Sequence, residues 1–520
     1  MSKATVSIVM TLVWCSIAGA QKWSTIATPP QFTPGVALQL TDGTVLIEQY
    51  QSSNWWKLTP QPFTLNYQQG KLTGVQPFPT SMNYAPKFFA SAMLPDGRVI
   101  VEGGEYNNGV KDWTTLGAVY DPTVGSLGTW TPVSPPPGWT KIGDVQSAVL
   151  ADGTFMMANK CPLPCTTSNP PAAAALFNAK AFPIPPYWTL LTPTSGFKNK
   201  FDENTEEGWT LLPNGNLLTV DTYVPLGSSI GNDSETYDPA TGVWSFAGPT
   251  GPQLWDSHVT CGGASSHEIG PAVLRYDGTV FATGANSCPG AAGSTAIYDT
   301  VSRIWRAGPN IPGTNNMLDA SASILTNGNV LVDTSPGNNI GPSKFYEFNG
   351  TGWLNIPQPL GLPPKQSTEG GRMLVLASGQ ILFTQLGTSQ IWFYTPGGTY
   401  QPAWQPTICP SVPTCYPANG SIGGTYKLMG TQFNGLSQGA AYGDDAQSAT
   451  NYPLVVITND STGHKFFART HDFSTMAVAT GSSMVSCQFT ILPGTETGNS
   501  TLTVIANGIP SAPVGIVIDQ

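Results

Sequence analysis

Ser147-Ala148-Val149-Leu150-Ala151-Asp152-Gly153-Thr154-Phe155-Met156-Met157 is the stretch that decides the fold. Two short apolar strands flank an Asp-Gly pair, the strongest short-range hairpin signal. The same unit returns at Asp42-Gly43, Asp96-Gly97, Asn214-Gly215, Asp277-Gly278, Asn327-Gly328 and, with Ser for the acid, Ser378-Gly379. Successive glycines lie 50 to 63 residues apart, so one structural unit recurs seven times. A hairpin turn of the two-residue type, with both central residues at positive φ, is expected at each. After each hairpin come an aromatic-acid pair and a Trp: Tyr120-Asp121 with Trp130, Tyr237-Asp238 with Trp244, Tyr298-Asp299 with Trp305, Tyr346-Glu347 with Trp353. Repeats of this length and content read as four-stranded blades of a β-propeller.

The pattern runs from residue 21 to residue 405 and then stops. Trp23-Ser-Thr-Ile-Ala-Thr-Pro-Pro30 is similar to the last strand of later units, such as Trp130-Thr-Pro-Val133. It is expected to complete the seventh blade and remove an exposed sheet edge. Residues 406–520 hold short β-rich runs without Trp, such as Leu454-Val-Val-Ile457, and read as an immunoglobulin-like sandwich. The fold class is therefore all-β: a seven-bladed propeller followed by a C-terminal sandwich.

Composition bounds the rest. Lys3, the apolar run Val6 to Ile17 and Ala18-Gly19-Ala20 read as a secretory signal over residues 1–20. A secreted, periplasmic or extracellular location follows, with no membrane span. Gly and Pro supply 57 and 47 of 520 residues and only 10% are charged, which fits a turn-rich β protein. A net charge of −10 argues against nucleic acid as a partner. Cys161 with Cys165, Cys261 with Cys288 and Cys409 with Cys415 are read as disulfides, with Cys487 left over. Zinc is the rival, but no His stands beside Cys161 or Cys409 to complete a tetrahedral set. The sequons at Asn232, Asn349, Asn419, Asn459 and Asn499 permit glycosylation.

The strand before each turn is rich in small residues, as in Ala90-Ser91-Ala92 and Ser321-Ala322-Ser323, and is placed innermost. Counting back nine residues from each turn glycine, or ten at two units, reaches Pro34, Phe88, Asp144, Glu206, Glu268, Asp319 and Glu369. Five of these seven are acidic in a chain with 31 acids, so a ring of carboxylates is expected at the axis. Close carboxylates repel one another and need protons, cations or a ligand. Ca²⁺ or another divalent cation suits such oxygen donors, with Asp144, Glu369 and His471 as candidate ligands. Glu206, Glu268, Asp319 and Glu369 are candidate acid/base residues of a glycan hydrolase or lyase. A purely architectural role, with Lys87, Arg372, Arg469 and His471 as counter-charges, is the third reading. Glu203, Glu207 and His267 add polar density beside the ring, whereas His258 and His464 have no patterned partners. Trp55-Trp56 reads as blade packing before a sugar platform.

These features resemble the kelch repeat, although only Val99-Ile-Val-Glu-Gly-Gly104 carries the full double glycine. With the signal and C-terminal sandwich, the chain resembles the galactose oxidase and glyoxal oxidase family. That resemblance implies one copper held by two tyrosines and two histidines, with a Tyr–Cys cross-link. It also implies a C-terminal loop rising through the axis to deliver the last histidine. Matched unit by unit, the cysteine position falls on Phe88, the cross-linked tyrosine on Asp144 and the Tyr-His pair on Glu369-Gly370. Only His471, in Arg469-Thr-His-Asp-Phe-Ser-Thr475, matches the last histidine. The expectation is thus a divergent relative without copper-radical chemistry. Its acidic mouth, with Asp144, Glu206, Glu268, Asp319, Glu369, Arg469 and His471, would bind a carbohydrate, an extracellular protein or a cation.

Overall fold

A computed structural model describes residues 21–159, 174–191, 200, 204–223, 234–257, 261–262, 265–286, 288, 290–337, 339–443 and 448–520. The expected signal over residues 1–20, Cys161, Cys165, Glu203, Asn232 and His258 lie outside these residues. The described chain is all-β, built from many small antiparallel sheets, consistent with a propeller and sandwich.

Seven of these sheets follow the repeat. In chain order their first strands are Pro34–Gln39, Ala90–Met93, Ser147–Val149, Thr210–Leu211, Ala272–Leu274, Ala322–Ile324 and Gly371–Val375. Lys22–Thr25 supplies the outer strand of the seventh sheet, pairing with Ile391–Thr395 so that Trp23 faces Tyr394. The first strands of the first three sheets touch in succession, as do those of the fourth to seventh, and the seventh touches the first. Between the third and fourth sheets, the Gln146 amide donates to Glu207 at 3.5 Å.

The aromatic-acid pairs have two separate jobs. Tyr120, Tyr237 and Tyr298 stand directly opposite Trp130, Trp244 and Trp305, with ring centroids 5.0 to 5.3 Å apart. Such cross-strand aromatic pairs stabilise a sheet by up to about 1 kcal/mol each. The following Asp faces the turn instead: Asp121, Asp238 and Asp299 accept from the backbone N–H two residues on. Trp55 is buried against Phe78, Phe89 and Trp130, and Trp56 stacks on Phe32, so both pack the core.

One local expectation needs correcting. Each Asp/Asn-Gly turn contains three residues, and only the glycine takes positive φ, for example +89° at Gly153. Gly153 N–H donates to the Leu150 carbonyl, and Leu150 N–H donates to Thr154, a type I turn closed by a glycine bulge. The Asp152 carboxylate accepts the Thr154 N–H, which explains why Asp, Asn or Ser precedes the glycine.

Apart from Ala440–Ala441, the described strands of residues 406–520 form one continuous sheet. Lys465–His471 joins its halves, pairing with Leu454–Asn459 at one end and with Val485–Thr490 at the other. This unit packs on the turn end of the repeat sheets: Thr470, Phe473 and Met476 N–H groups donate to Thr41, Pro95 and Ala151 carbonyls. Cys261–Cys288 and Cys409–Cys415 are disulfides, and Cys487 is a buried free thiol. Among the described residues, no helix is long and apolar enough to cross a membrane.

Candidate functional site

At the opposite end from the turns, the first strands begin around a cavity of about 460 Å³. Asp144, Glu206, Glu268, Asp319 and Glu369 all line it, one from each of the third to seventh sheets. The backbone just before the strands is unusual. Phe88, Glu206, His267 and Asp319 hold φ between +43° and +66°, and Gly143 takes +79° beside Asp144. A non-glycine residue there costs of order 1 kcal/mol or more and persists only where surrounding packing enforces it. At Glu206 and Asp319 the strained residue itself carries the cavity carboxylate.

A separate three-stranded sheet of Pro86–Lys87, Tyr106–Asn107 and Val110–Lys111 closes the cavity with groups that the counting from turn glycines did not reach. Gly103 and Gly104, at φ +75° and +129°, turn the chain immediately after Val99–Glu102 and bring Glu105 and Tyr106 to the wall. A Cβ at Gly103 would lie 2.6 Å from the Gly143 carbonyl, so the close approach requires glycine. The short hairpin Tyr106–Asn107 and Val110–Lys111 then carries Lys111, whose ammonium lies 2.6 Å from Glu105. Lys87 sits over the Phe88 and Tyr106 rings, at 4.1 and 4.9 Å. The double glycine was visible in the sequence, but its consequence for the axis was not.

The C-terminal unit does send a segment into the axis, and it is not the expected one. Ala440–Ala441 pairs with Ala322 and Ser323, adding a fifth strand to the sixth sheet. Tyr442 follows into the cavity wall and donates from its hydroxyl to the Glu369 carbonyl at 2.9 Å. The Arg372 guanidinium stacks 3.6 Å from the Tyr442 ring centroid and donates to the same Glu369 carbonyl. Gly443 lies against the backbone of Gly208 and Ile269, where a Cβ would stand 2.8 Å from the Ile269 carbonyl.

Arg469 and His471 are therefore reassigned. Both belong to Lys465–His471, where Arg469 pairs with Thr490 and His471 with Gln488, so the sheet consumes the backbone that would have risen. The His471 ring bonds Asp472 and Thr490 and sits beside the Gly97 turn, at the far end of the repeat strands from the cavity. Neither residue lines the cavity. Of the other histidines, His464 pairs with Glu496 and stacks on Phe63, while His267 is sandwiched between Tyr223 and Trp255. Glu207 faces away from its neighbour Glu206, into a buried cluster with Lys200, Asp221 and Glu235.

Electrostatics separate the wall into two regions. Glu369 is half-buried, and burial raises its pKa while Lys87, the Asn339 N–H and Arg372 oppose the rise. Glu268 is pushed well above the carboxylate range, first by burial and then by Asp319, with Glu206 and Asp144 adding to it.

No family model matches this chain, and no curated protein matches it. The donor set decides what metal the site could hold. Among the described residues the cavity wall holds neither Cys nor His, the donors that a copper held by imidazoles beside a cross-linked phenol would need. Among the described residues, no three His, Cys, Asp or Glu side chains converge closely enough to hold a metal ion. The carboxylates are spread over the wall rather than drawn to one point.

Proposed function

We propose that this chain is an exported carbohydrate-binding protein, a divergent relative of the galactose oxidase-like kelch group. On this reading its seven repeat sheets are the blades of a closed propeller, and residues 406–520 form the immunoglobulin-like domain. Three features support the relationship: seven sheets in repeat order, closure through Lys22–Thr25, and a C-terminal segment entering the axis. Export rests on the signal-like residues 1–20 and on the disulfides. Phe88, Asp144 and Glu369-Gly370 argue against a copper-radical reaction.

The single observation carrying the binding reading is the cavity itself. Carboxylates from five sheets, two lysines and the rings of Phe88, Tyr106 and Tyr442 enclose about 460 Å³ of polar space. That volume suits one or two sugar rings. Carboxylates accept charge-assisted hydrogen bonds from hydroxyls, and an aromatic face suits the apolar face of a sugar. Calorimetric titration with neutral and charged oligosaccharides tests this. Saturable binding that disappears in a folded Asp144→Asn/Glu206→Gln variant is expected. Absence of binding across a broad glycan panel would remove the reading.

The upward push that burial and neighbouring carboxylates give the Glu268 carboxyl favours one second reading, a glycan hydrolase with Glu268 as general acid. Glu206 or Asp144 would then serve as base or nucleophile. Release of reducing ends by wild-type protein but not by Glu268→Gln would favour this reading over simple binding.

A further inference from the structure

The sequons at Asn349, Asn419, Asn459 and Asn499 are a motif that the cavity leaves unexplained, and the C-terminal sheet sorts the last three. Strand residues alternate between faces, and residues directly opposite on neighbouring strands share a face. Gly498–Ala506 pairs with Val514–Asp519, which pairs in turn with Asn419–Ser421. Val517 stands opposite Asn499 on one side and Asn419 on the other, so both asparagines occupy one face with Val517 between them. That face is the outer one. Asn419 and Asn499 are exposed, whereas the next residues along, Gly420 and Ser500, are buried. Asn459 stands opposite Ser500 and so shares the inner face.

The two faces leave the amide nitrogen, the atom to which a glycan is joined, in different states. Asn459 is 4% exposed. Its Nδ2 donates to the Thr497 carbonyl at 3.1 Å, while its Oδ1 accepts from the Ser461 and Thr462 N–H groups. A sugar there would displace packed neighbours and strip buried polar groups of their partners. Asn349 lies exposed in the turn between Lys344–Phe348 and Trp353–Ile356. Its Oδ1 accepts from the Thr351 and Gly352 N–H groups, which fixes the side chain and leaves Nδ2 outside the turn. Among the described residues, the Nδ2 atoms of Asn349, Asn419 and Asn499 donate to nothing.

We propose that Asn349, Asn419 and Asn499 carry N-linked glycans and that Asn459 does not. This rests on the export reading, through a secretory route that supplies a glycosyltransferase and a lipid-diphosphate-linked oligosaccharide. The step is balanced: Nδ2 attacks the anomeric carbon, the bond from that carbon to the diphosphate oxygen breaks, and the lipid diphosphate leaves with the electron pair. One amide proton passes to a base of the transferase. Thr351, Ser421 and Thr501, each two residues on, complete the acceptor motif. A chain that received a glycan at Asn459 before the sheet closed could not bury that residue and would fail to fold. Asn419 and Asn499 are two strand spacings apart, about 10 Å, so their glycans cover the outer face around Val517. Asn419–Ser421 ends the path of strands, and a bulky group there hinders pairing with another chain. None of the three asparagines lines the axial cavity, which their glycans leave open.

The test expresses the full chain, with its own residues 1–20, in insect cells and collects it from the medium. An amidase that removes N-glycans, used in heavy-oxygen water, converts each occupied Asn to labelled Asp, which peptide mass spectrometry locates. Label is expected at Asn349, Asn419 and Asn499 and not at Asn459. Asn419→Gln and Asn499→Gln should each remove the mass of one glycan with an unchanged circular dichroism spectrum. Label at Asn459 in secreted protein, or its absence from any of the other three, overturns the inference while leaving export intact. Folded protein that stays in the cytosol with residues 1–20 attached overturns both.

Discussion

Lys200→Met would remove the cation from a buried group of acids behind the cavity wall. The Lys200 ammonium lies 2.8 Å from Glu207, 2.7 Å from Asp221 and 3.4 Å from Glu235, and all four residues are buried. Methionine matches the stem of lysine, so packing is preserved while the charge is lost. Removing one partner from a buried ion pair costs about 3–5 kcal/mol, because the other partner keeps its desolvation penalty. With roughly 500 residues unfolding together, the entropy of unfolding is about 1 kcal/mol/K, so the melting temperature should fall by about 3–5 °C. Acid supplies the protons that the orphaned carboxylates then need. The difference between wild type and variant should therefore narrow from pH 7 to pH 4. Calorimetric scans of both proteins at the two pH values measure this, with exposed Lys71→Met as a control. An unchanged melting temperature at pH 7, or a gap that does not narrow in acid, would refute the electrostatic reasoning. Glu206, next to Glu207 and held at φ +56°, is the cavity residue most exposed to the loss.

Other tests reach the axis directly. Gly443→Ala forces a Cβ against the Ile269 carbonyl and should destabilise the chain by about 1–3 kcal/mol in denaturant melts; a neutral substitution would deny the close packing. Tyr442→Phe removes one hydrogen bond to the Glu369 carbonyl and should cost about 1 kcal/mol while weakening sugar binding; full affinity in this variant would show that the axial segment is only structural. Glu102 and Glu268 both have carboxyls raised by burial, so the folded state keeps protons that the unfolded chain releases. Stability contributed by these two groups is highest at acid pH and declines as pH climbs above the ordinary carboxylate range. Glu102→Gln/Glu268→Gln should flatten that decline, and an unaltered pH profile would contradict the assignment. Chelator should leave the melting temperature unchanged, and a drop of several degrees would reinstate a bound divalent ion.

Much of the site was legible because the repeat converts sequence distance into position. Residues counted back from a turn glycine stand at the start of the innermost strand, which is why Asp144, Glu206, Glu268, Asp319 and Glu369 meet in one cavity. Glu105, Tyr106 and Lys111 escaped this count because they follow Val99–Glu102, the second strand of the second repeat sheet, and belong to no counted position. They reach the axis only through the positive-φ glycines Gly103 and Gly104. His471 was singled out as the match to the last histidine of the family that the chain resembles, yet its backbone is taken up by the C-terminal sheet. The turn type was also misread, since Asp-Gly serves a glycine-bulged turn as well as a two-residue one.

By itself the sequence determined the local units: the place of each turn, the alternation of strands, the Tyr–Trp pairs of three repeats and the acidic position in five of the seven. These depend on interactions within a few residues or one hairpin, and successive repeats state them again. Tertiary structure alone decided which C-terminal segment fills the axis, that Tyr442 rather than His471 reaches the cavity, and that Lys200 answers three acids. Those outcomes depend on backbone pairing and charge burial between residues far apart in the chain. No local pattern encodes such partners, because each is chosen by the space and the unsatisfied charge that the assembled sheets leave behind.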